Sequence, residues 1–194
     1  IPLTPEKRGL GWEEIKACAE EVGYPVVLKA EAPDLVHKTD AGGVILDIAD
    51  EAGLKRAFDE MSAKLTGTSC LSYLVQGQIK GGTEVIVGGA QAKGLGPMVM
   101  FGLGGIHVEV LKDVIFNLTP VTRYEAEEML DTVRLSPLLR GVRGQKGVHR
   151  EGLVKTIQRL SQLVSEHPAI QELDLNPTLA FQDKVVVVDA RIGL

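Results

Sequence analysis

The chain has 194 residues, of which 44% are hydrophobic and 24% are charged, and its formal charge at pH 7 is −5. This composition supports a folded core and excludes a disordered chain. The negative net charge and the lack of a long lysine and arginine cluster argue against binding to nucleic acid or to a membrane surface.

The sequence contains no signal for a membrane span or for secretion. No apolar run reaches the roughly 18–20 residues that cross a bilayer. Residues 1–5 lack the basic start and the apolar stretch of a signal peptide. The only two cysteines, Cys18 and Cys70, are too few for a disulfide framework or for a zinc site built from cysteine pairs. We therefore expect a cytoplasmic protein with neither a membrane nor a nucleic acid as its partner.

Apolar spacing predicts helices and strands in alternation through the first part of the chain. Residues 12–22 and 54–65 each place apolar side chains on one helical face. Residues 25–30 and 44–46 are short runs of β-branched and other apolar residues, which are typical of buried strands.

The rest of the chain favours antiparallel strands followed by helices. Residues 107–111 alternate loosely and predict a half-buried strand, and residues 126–133 and 153–164 each form a helical face. Three short apolar runs separated by glycine pairs predict adjacent antiparallel strands, at residues 73–76, 84–87 and 98–101. The pattern predicts an α+β fold with helices packed on a largely antiparallel sheet.

Glycine is unusually frequent, since 22 of the 194 residues amount to about 11%, against a usual ~7%. The clustering predicts several loops whose backbone approaches a ligand, and phosphate is the commonest ligand of that kind. No cluster has the spacing of a P-loop or of a dinucleotide-binding fingerprint, so neither fold is supported. The clusters lie at residues 42–43, 81–82, 88–89, 94–96, 102–105 and 141–147.

The C-terminal residues 173–192 predict a β-hairpin with Gln182 and Asp183 as its two-residue turn. In that register Asn176 faces Asp189 on one side of the sheet. An amide oxygen and a carboxylate that face each other in this way can bind one hard cation.

The same register places Asp174 opposite Arg191. These two residues could form an ordinary ion pair, and Asp and Asn are also common near turns. A hairpin without a metal is therefore the alternative interpretation of this segment.

Other polar residues suit an anion. Lys29 ends a strand, where it either reaches the surface or faces an anion. The loop that contains His37 and Lys38 also holds a threonine and two glycines, and such a loop can wrap phosphate oxygens. Glu84 and Glu109 each belong to a predicted strand and, taken singly, are typical of solvated carboxylates.

Five segments together resemble the ATP-grasp domain of NDP-forming acyl-CoA synthetases. This group includes ADP-forming acetyl-CoA synthetase and, more distantly, the nucleotide-binding subunit of succinyl-CoA synthetase. The segments span nearly the whole chain in the family's order, and they read GYPVVLKAEAPDLVHKTDAGGV, GGTEVIVGG, GPMVMFGLGGIHVEV, LLRGVRG, and ELDLNP with VVVVDARI.

The resemblance implies an ATP-grasp fold of two lobes, residues 1–75 and 76–194, each a mainly antiparallel sheet with packed helices. It also implies Mg²⁺ as cofactor and ATP or ADP as substrate, with Gln76 meeting the adenine edge through its backbone. It implies nucleotide binding by Lys29, Lys38, Gln76, Glu84 and Arg191, metal binding by Asn176 and Asp189, and catalytic roles for His37 and Glu109.

The reaction that the resemblance implies is acyl-CoA + ADP + phosphate ⇌ acid + CoA + ATP, through an acyl phosphate and a phosphohistidine. The partners would be CoA-binding and ligase domains, in the same polypeptide or in a separate subunit. These domains are absent here and the family continues upstream of Ile1, so the chain is expected to bind nucleotide without completing the reaction.

Two positions depart from the family pattern. Leu95 replaces a phenylalanine, which is a conservative change, and Asn117 replaces an arginine, which could weaken anion binding. The alternative function is a degenerate regulatory ATP-grasp module of a protein acetyltransferase. That group often loses the Asn-Pro pair that is retained here at Asn176 and Pro177. A different ATP-grasp ligase is disfavoured by the loop around His37.

Overall fold

The computed structural model describes residues 1–32, 42–65, 72–105, 113–142, 144 and 146–194. Within these residues the chain forms two compact units, Thr4–Lys80 and Gly81–Leu194, the second joined by Ile1–Leu3. The predicted residues His37, Lys38 and Glu109, and the strand predicted at residues 107–111, lie outside the described part of the chain.

The smaller unit, Thr4–Lys80, is a four-stranded antiparallel sheet with two helices on one face. The strands lie in the order β1-β4-β2-β3. Fully buried side chains of both helices pack on the sheet, for example Ile15, Leu54 and Met61 against Leu28. Its elements are β1 (Glu6–Gly9), α1 (Trp12–Val22), β2 (Val26–Glu31), β3 (Val44–Ile48), α2 (Glu51–Lys64) and β4 (Ser72–Gly77).

The larger unit is a six-stranded antiparallel sheet in the order β10-β8-β5-β6-β7, with β9 paired to β8. Helices cover one face, where Phe101 of the sheet packs with Leu153, Ile157 and Leu160 in a buried core. Its elements are β5 (Thr83–Ala92), β6 (Gly96–Leu103), β7 (Val114–Leu118), α3 (Arg123–Thr132), α4 (Ser136–Arg140), α5 (Arg150–Glu166), β8 (Glu172–Ala180), β9 (Val185–Val187) and β10 (Ala190–Gly193).

Two antiparallel sheets with packed helices confirm the predicted α+β class and the two-lobed fold. The predicted boundary between residues 75 and 76 falls inside strand β4, which pairs with a strand on each side. The two compact units divide along the chain between Lys80 and Gly81. The strands β1 and β7 and the short helix α4 were not predicted. No helix in the described residues is long and apolar enough to span a bilayer.

The prediction that the glycine clusters form ligand-binding loops is wrong for the pair at residues 88–89. Gly88 and Gly89 lie inside strand β5 and are buried. A Cβ atom on Gly89 would lie 2.7 Å from Leu160 Cδ2 and 2.8 Å from Val164 Cγ1. Glycine is therefore required at residue 89 because helix α5 packs directly on the strand.

Candidate functional site

The C-terminal hairpin has the register that the sequence predicts. Phe181 N donates to Lys184 O at 2.8 Å and closes the two-residue turn. Beyond it, Thr178 pairs with Val187, and Arg191 pairs with Asp174. This confirms that the turn fixes the pairing along the whole hairpin.

Asn176 and Asp189 lie directly opposite each other, because Asn176 N donates to Asp189 O at 3.1 Å. Opposed residues of an antiparallel pair project to the same face. Both residues are exposed. The predicted pairing of these two residues is confirmed, whereas binding of a metal by them stays a prediction.

A bulge interrupts the pairing of β8 with β5 at Asn176 and Pro177. β5 pairs Val85 with Thr178 and Val87 with Leu175, so Asn176 and Pro177 together face a single residue of β5. Such a bulge bends the strand and redirects a side chain. Asn176 is exposed because it continues the outward alternation of Glu172 and Asp174, and the strand is buried from Thr178 onward, after the bulge.

The sequence suggested for Asp174 only an ordinary ion pair with Arg191, and the structure shows a different environment. Its Oδ1 atom is buried and has no hydrogen-bond partner among the described residues. Burial, and then the nearby Glu172 and Asp189 carboxylates, raise the pKa of Asp174, while the Asn176 amide and the Arg191 guanidinium act in the opposite direction. No ion pair within 4 Å joins Asp174 to Arg191 in the described chain. A buried carboxylate oxygen without a partner suits a cation or a donor from a ligand.

Replacing Asp174 by asparagine is expected to stabilise the fold at pH 7 by about 1 kcal/mol, or roughly 2–4 °C in Tm. Because the pKa of folded Asp174 lies above its unfolded value, the charged carboxylate destabilises the fold as the pH rises through the ordinary value of about 3.9. The gain should therefore vanish below a pH of about 3. Thermal unfolding at pH 7 and below a pH of about 3 measures the gain in Tm. An equal gain at the two pH values would contradict the explanation by burial of a charge.

The amide and carboxylate oxygen atoms of the hairpin are suitable ligands for a hard cation. In the described residues no cluster of three or more His, Cys, Asp and Glu side chains could hold a metal. An ion here would therefore draw on the Asn176 amide, on one or two carboxylates, and on ligands from outside the protein. Mg²⁺ is commonly bound in this way, through one or two carboxylates together with waters and phosphate oxygens.

A groove of about 450 Å³ runs beside Glu172 and Asp174 on the sheet face opposite the helices. Asp174 and Glu172 lie along one side of the groove. Its other walls are apolar and include the half-exposed Phe116. The acidic residues thus border an open apolar surface of the same sheet.

Glu84 lies against the glycine cluster at residues 102–105. It is exposed near the start of β5, and its carbonyl oxygen accepts a 2.7 Å hydrogen bond from Gly104 N. A Cβ atom on Gly105, whose φ is +62°, would lie 2.9 Å from Glu84 Oε2. Here glycine does allow the loop to pass close to a candidate site residue.

Lys29 and Gln76 lie on one face of the smaller sheet. Val27 pairs with Gln76 and Lys29 with Leu74, which makes Lys29 and Gln76 diagonal neighbours on the face away from the helices. Lys29 is only 6% exposed and Gln76 only 2%. A lysine is rarely buried to this extent unless it is paired, so the surface position considered for Lys29 is excluded.

The surroundings of Lys29 and Gln76 are polar. Gln76 Nε2 donates to Glu6 Oε2 at 2.8 Å, and Ser72 Oγ donates to Glu31 Oε2 at 2.8 Å. The backbone of Gln76 lies within the sheet, between Glu6 on β1 and Val27 on β2. Contact between that backbone and adenine stays a prediction.

Comparison with known proteins gives the family. A family model described as an ATP-grasp domain matches residues 1–194. The chain is 44% identical over 198 residues to acetate–CoA ligase (ADP-forming) I of Archaeoglobus fulgidus, covering 100% of this chain and 29% of that protein. It is 38% identical over 198 residues to the beta subunit of acetate–CoA ligase (ADP-forming) I of Pyrococcus furiosus, covering 100% of this chain and 85% of the subunit.

Solved structures agree with this assignment. Acetyl-coenzyme A synthetase 1 of Ca. Korarchaeum cryptofilum, in complex with coenzyme A, Ca-AMPCP and HgCl⁺, matches with a TM-score of 0.97 at 36% identity, covering 100% of this chain and 86% of that chain. Another structure of that protein, with coenzyme A and Mg-AMPPCP, matches with a TM-score of 0.89 at 37% identity and covers 100% and 85%. Matched over its whole length by the family model, the chain belongs to the ATP-grasp domain family and is similar to the beta subunits of ADP-forming acetate–CoA ligases.

Proposed function

We propose that this chain is the nucleotide-binding part of an ADP-forming acyl-CoA synthetase and binds ADP or ATP together with Mg²⁺. The observation that carries the proposal is the pair of Asn176 and Asp189, which oppose each other. Asn176 lies on the strand that also carries Asp174, whose Oδ1 has no partner within the described part of the chain. The complex of the Korarchaeum relative with Mg-AMPPCP supports it.

In this proposal Asn176 and Asp189 hold the Mg²⁺. Their oxygen atoms are hard ligands, and their exposure leaves room for waters and phosphate oxygens to complete the coordination. Bound Mg²⁺ would neutralise the negative charge that develops on the transferred phosphoryl group. Arg191 is proposed as a further cation for the nucleotide phosphates, because it is exposed on the neighbouring strand β10.

The smaller unit is proposed to contribute Lys29 and Gln76 to nucleotide binding. The nearly buried ammonium of Lys29 supplies a positive charge in a place where water screens it little. Glu84 of the larger unit is proposed as a nucleotide-binding residue. For Lys38 as a phosphate contact, and for His37 and Glu109 as groups on the phosphoryl-transfer route, the support is the family resemblance alone.

The reaction proposed for the whole protein is acyl-CoA + ADP + phosphate ⇌ acid + CoA + ATP. This chain would exchange phosphoryl groups between nucleotide and a phosphohistidine, and CoA-binding and ligase domains would be its partners. The relatives support two arrangements, one with these domains in the same polypeptide and one with them in a separate subunit. The chain spans 29% of the Archaeoglobus protein and 85% of a Pyrococcus beta subunit. Nucleotide and CoA are compounds of the cytoplasm, which is the proposed location.

Calorimetric titration with ADP and with ATP, in Mg²⁺ and in excess chelator, tests the binding function. We expect binding that depends on Mg²⁺, and equal heats with and without chelator would reject the metal site. Isotope exchange between ADP and ATP, measured after the CoA-binding and ligase domains are added, tests the enzymatic role. Lasting absence of exchange would favour the regulatory module instead.

Replacing Lys29 by methionine is expected to weaken the binding of Mg-ADP by about tenfold, because a charge-assisted hydrogen bond contributes about 1.5–3 kcal/mol. Lys29 has an interaction partner that methionine cannot satisfy, so the Tm without nucleotide is also expected to fall. Calorimetry and thermal unfolding measure the two effects. Exchange of Lys55, an exposed lysine paired with Asp59 on helix α2, for methionine is the control. An unchanged affinity for Mg-ADP in the folded Lys29 variant would contradict a role of Lys29 in nucleotide binding.

A further inference from the structure

The three residues after strand β4, residues 78–80, are held by one residue of strand β3. Asp47 N donates to Gln78 Oε1 at 3.0 Å, and Gln78 Nε2 donates to Asp47 Oδ1 at 3.1 Å. Lys80 Nζ forms an ion pair with the same carboxylate. The side chain of Gln78 and the ammonium of Lys80 thus both bind Asp47.

The backbone of Asp47 is shaped for this contact. Val26 pairs with Ile48 and Leu28 with Ile45, so two residues of β3 face one residue of β2, which is a bulge. Asp47 has a φ of +60°, and no other described residue except glycine has a positive φ. Aspartate tolerates this left-handed conformation better than most residues. The bulge turns the N–H of Asp47 out of the ladder and toward Gln78.

Two backbone hydrogen bonds fix the start of the same segment. Gly77 N donates to Pro5 O at 2.9 Å, and Gln78 N donates to Pro25 O at 2.9 Å. The segment is therefore bound to strand β3 and, through Gln78, to the residue before β2, while Gly77 at the end of β4 is bound to the residue before β1. Residues 78–80 have no helix or strand of their own, so these contacts determine their conformation.

The pairing between Asp47 and Gln78 is complementary in donors and acceptors. Asp47 presents one N–H donor and one carboxylate acceptor, and the Gln78 amide presents one acceptor and one donor in return. A glutamate at residue 78 would keep the acceptor and would bring a second carboxylate against Asp47. An ion pair as exposed as that of Lys80 contributes little by itself, so the amide pairing is the specific part of the contact.

We infer that Asp47 is a positioning residue that holds residues 78–80 in the conformation required for nucleotide binding. These residues closely follow Gln76, and they end at Lys80, where one compact unit gives way to the next along the chain. Asp47 itself does not contact the nucleotide in this inference. The inference rests on the proposed binding of Mg-ADP.

The test compares Gln78→Glu with the double variant Asp47→Asn, Gln78→Glu. In the double variant the backbone N–H and the new side-chain amide at residue 47 both donate to the new glutamate. Both hydrogen bonds between residues 47 and 78 are therefore restored, and in the side-chain bond residue 47 is now the donor and residue 78 the acceptor. Asparagine also tolerates a positive φ. Amide hydrogen exchange over residues 76–80 without nucleotide, and calorimetric affinity for Mg-ADP, are measured for both variants and for the unaltered protein.

We expect Gln78→Glu to speed exchange over residues 76–80 and to weaken Mg-ADP binding by about threefold to tenfold. The double variant should return both values to within about twofold of those of the unaltered protein. Glu60→Gln, which removes an exposed ion pair with Lys64 on helix α2, is the control and should change neither value.

Two outcomes would overturn the inference. If Gln78→Glu changes neither exchange nor affinity, or changes exchange alone, Asp47 does not position this segment for the nucleotide. If the double variant stays as weak as Gln78→Glu, the amide of Gln78 acts on the ligand directly. Absence of Mg-ADP binding in the unaltered protein would reject the proposed function, while recovery of slow exchange in the double variant would still show the contact itself.

Discussion

Replacing Asp189 by alanine is expected to weaken Mg-dependent ADP binding by about 100-fold, because loss of a metal ligand costs at least as much as loss of a residue that orients one. Asn176→Ala should weaken it by about tenfold, since a neutral amide ligand attracts a cation less strongly than a carboxylate does. Both side chains are exposed, but Asn176→Ala also removes the side-chain hydrogen bond to Asp174, so that variant is expected to lower the Tm as well. Calorimetric titration with ADP at fixed Mg²⁺ measures both losses.

The double variant decides whether the two residues bind the same ion. If they do, combining the substitutions should cost no more than Asp189→Ala alone, because a lost ion leaves the second ligand without a role. Losses that add in full would contradict a shared ion. Asp183→Ala removes an exposed acid from the turn of the same hairpin and should change the affinity by less than about twofold.

The register of this hairpin could be predicted because it depends on local sequence. A two-residue turn at Gln182 and Asp183 fixes every pair that follows it, including the pair of Asp174 and Arg191. The four longer helices, α1, α2, α3 and α5, were predictable for a similar reason, since each carries its own apolar face. The family resemblance rests on the same local segments.

Of the missed strands, β1 depends on a partner elsewhere in the chain, whereas β7 had a local signal. Strand β1 reads Glu-Lys-Arg-Gly, has no apolar face, and exists because it pairs with β4 at the edge of the sheet. Strand β7, Val-Ile-Phe-Asn-Leu, did carry a strand signal in its β-branched and aromatic residues. The edge position of β1 follows only from tertiary structure.

The pairing of Asn176 with Asp189 was predictable from the sequence, but the environment of the pair was not. Sequence spacing places Asn176 opposite Asp189, yet it does not reveal that Asp174 has a buried oxygen without a partner among the described residues. Burial depends on residues far away in sequence, and the same is true of the 6% exposure of Lys29. The glycine pair in β5 was predicted to form a ligand-binding loop, but it lies inside a strand against helix α5. Composition alone cannot distinguish a glycine needed for ligand binding from one needed for the close packing of a helix.

Replacing Gly89 by alanine is expected to destabilise the larger unit by about 2 kcal/mol, a large fraction of a typical stability of about 5–15 kcal/mol. The new Cβ would lie within 2.8 Å of Leu160 and Val164 of helix α5. Both side chains are fully buried and have little space into which to move. Urea unfolding measures the loss.

Gly88→Ala is the matched control, because Gly88 is the preceding residue and its Cβ would point to the other face of β5. There the nearest atom is Met100 Cε at 3.2 Å, the flexible end of a side chain that can shift. Both substitutions remove the backbone freedom of a glycine from the unfolded state, so the difference between them reports the contact with the helix. We expect Gly88→Ala to change the free energy of unfolding by less than about 0.5 kcal/mol.

Combining Gly89→Ala with Leu160→Ala tests the cause directly. Leu160→Ala alone should cost about 2–5 kcal/mol through the cavity it leaves. With Leu160 shortened, the Cβ at residue 89 gains space, so the double variant should be more stable than the sum of the single losses by about 1 kcal/mol. Additive losses, or equal losses for Gly88→Ala and Gly89→Ala, would mean that close approach of helix α5 is not what requires glycine in this strand.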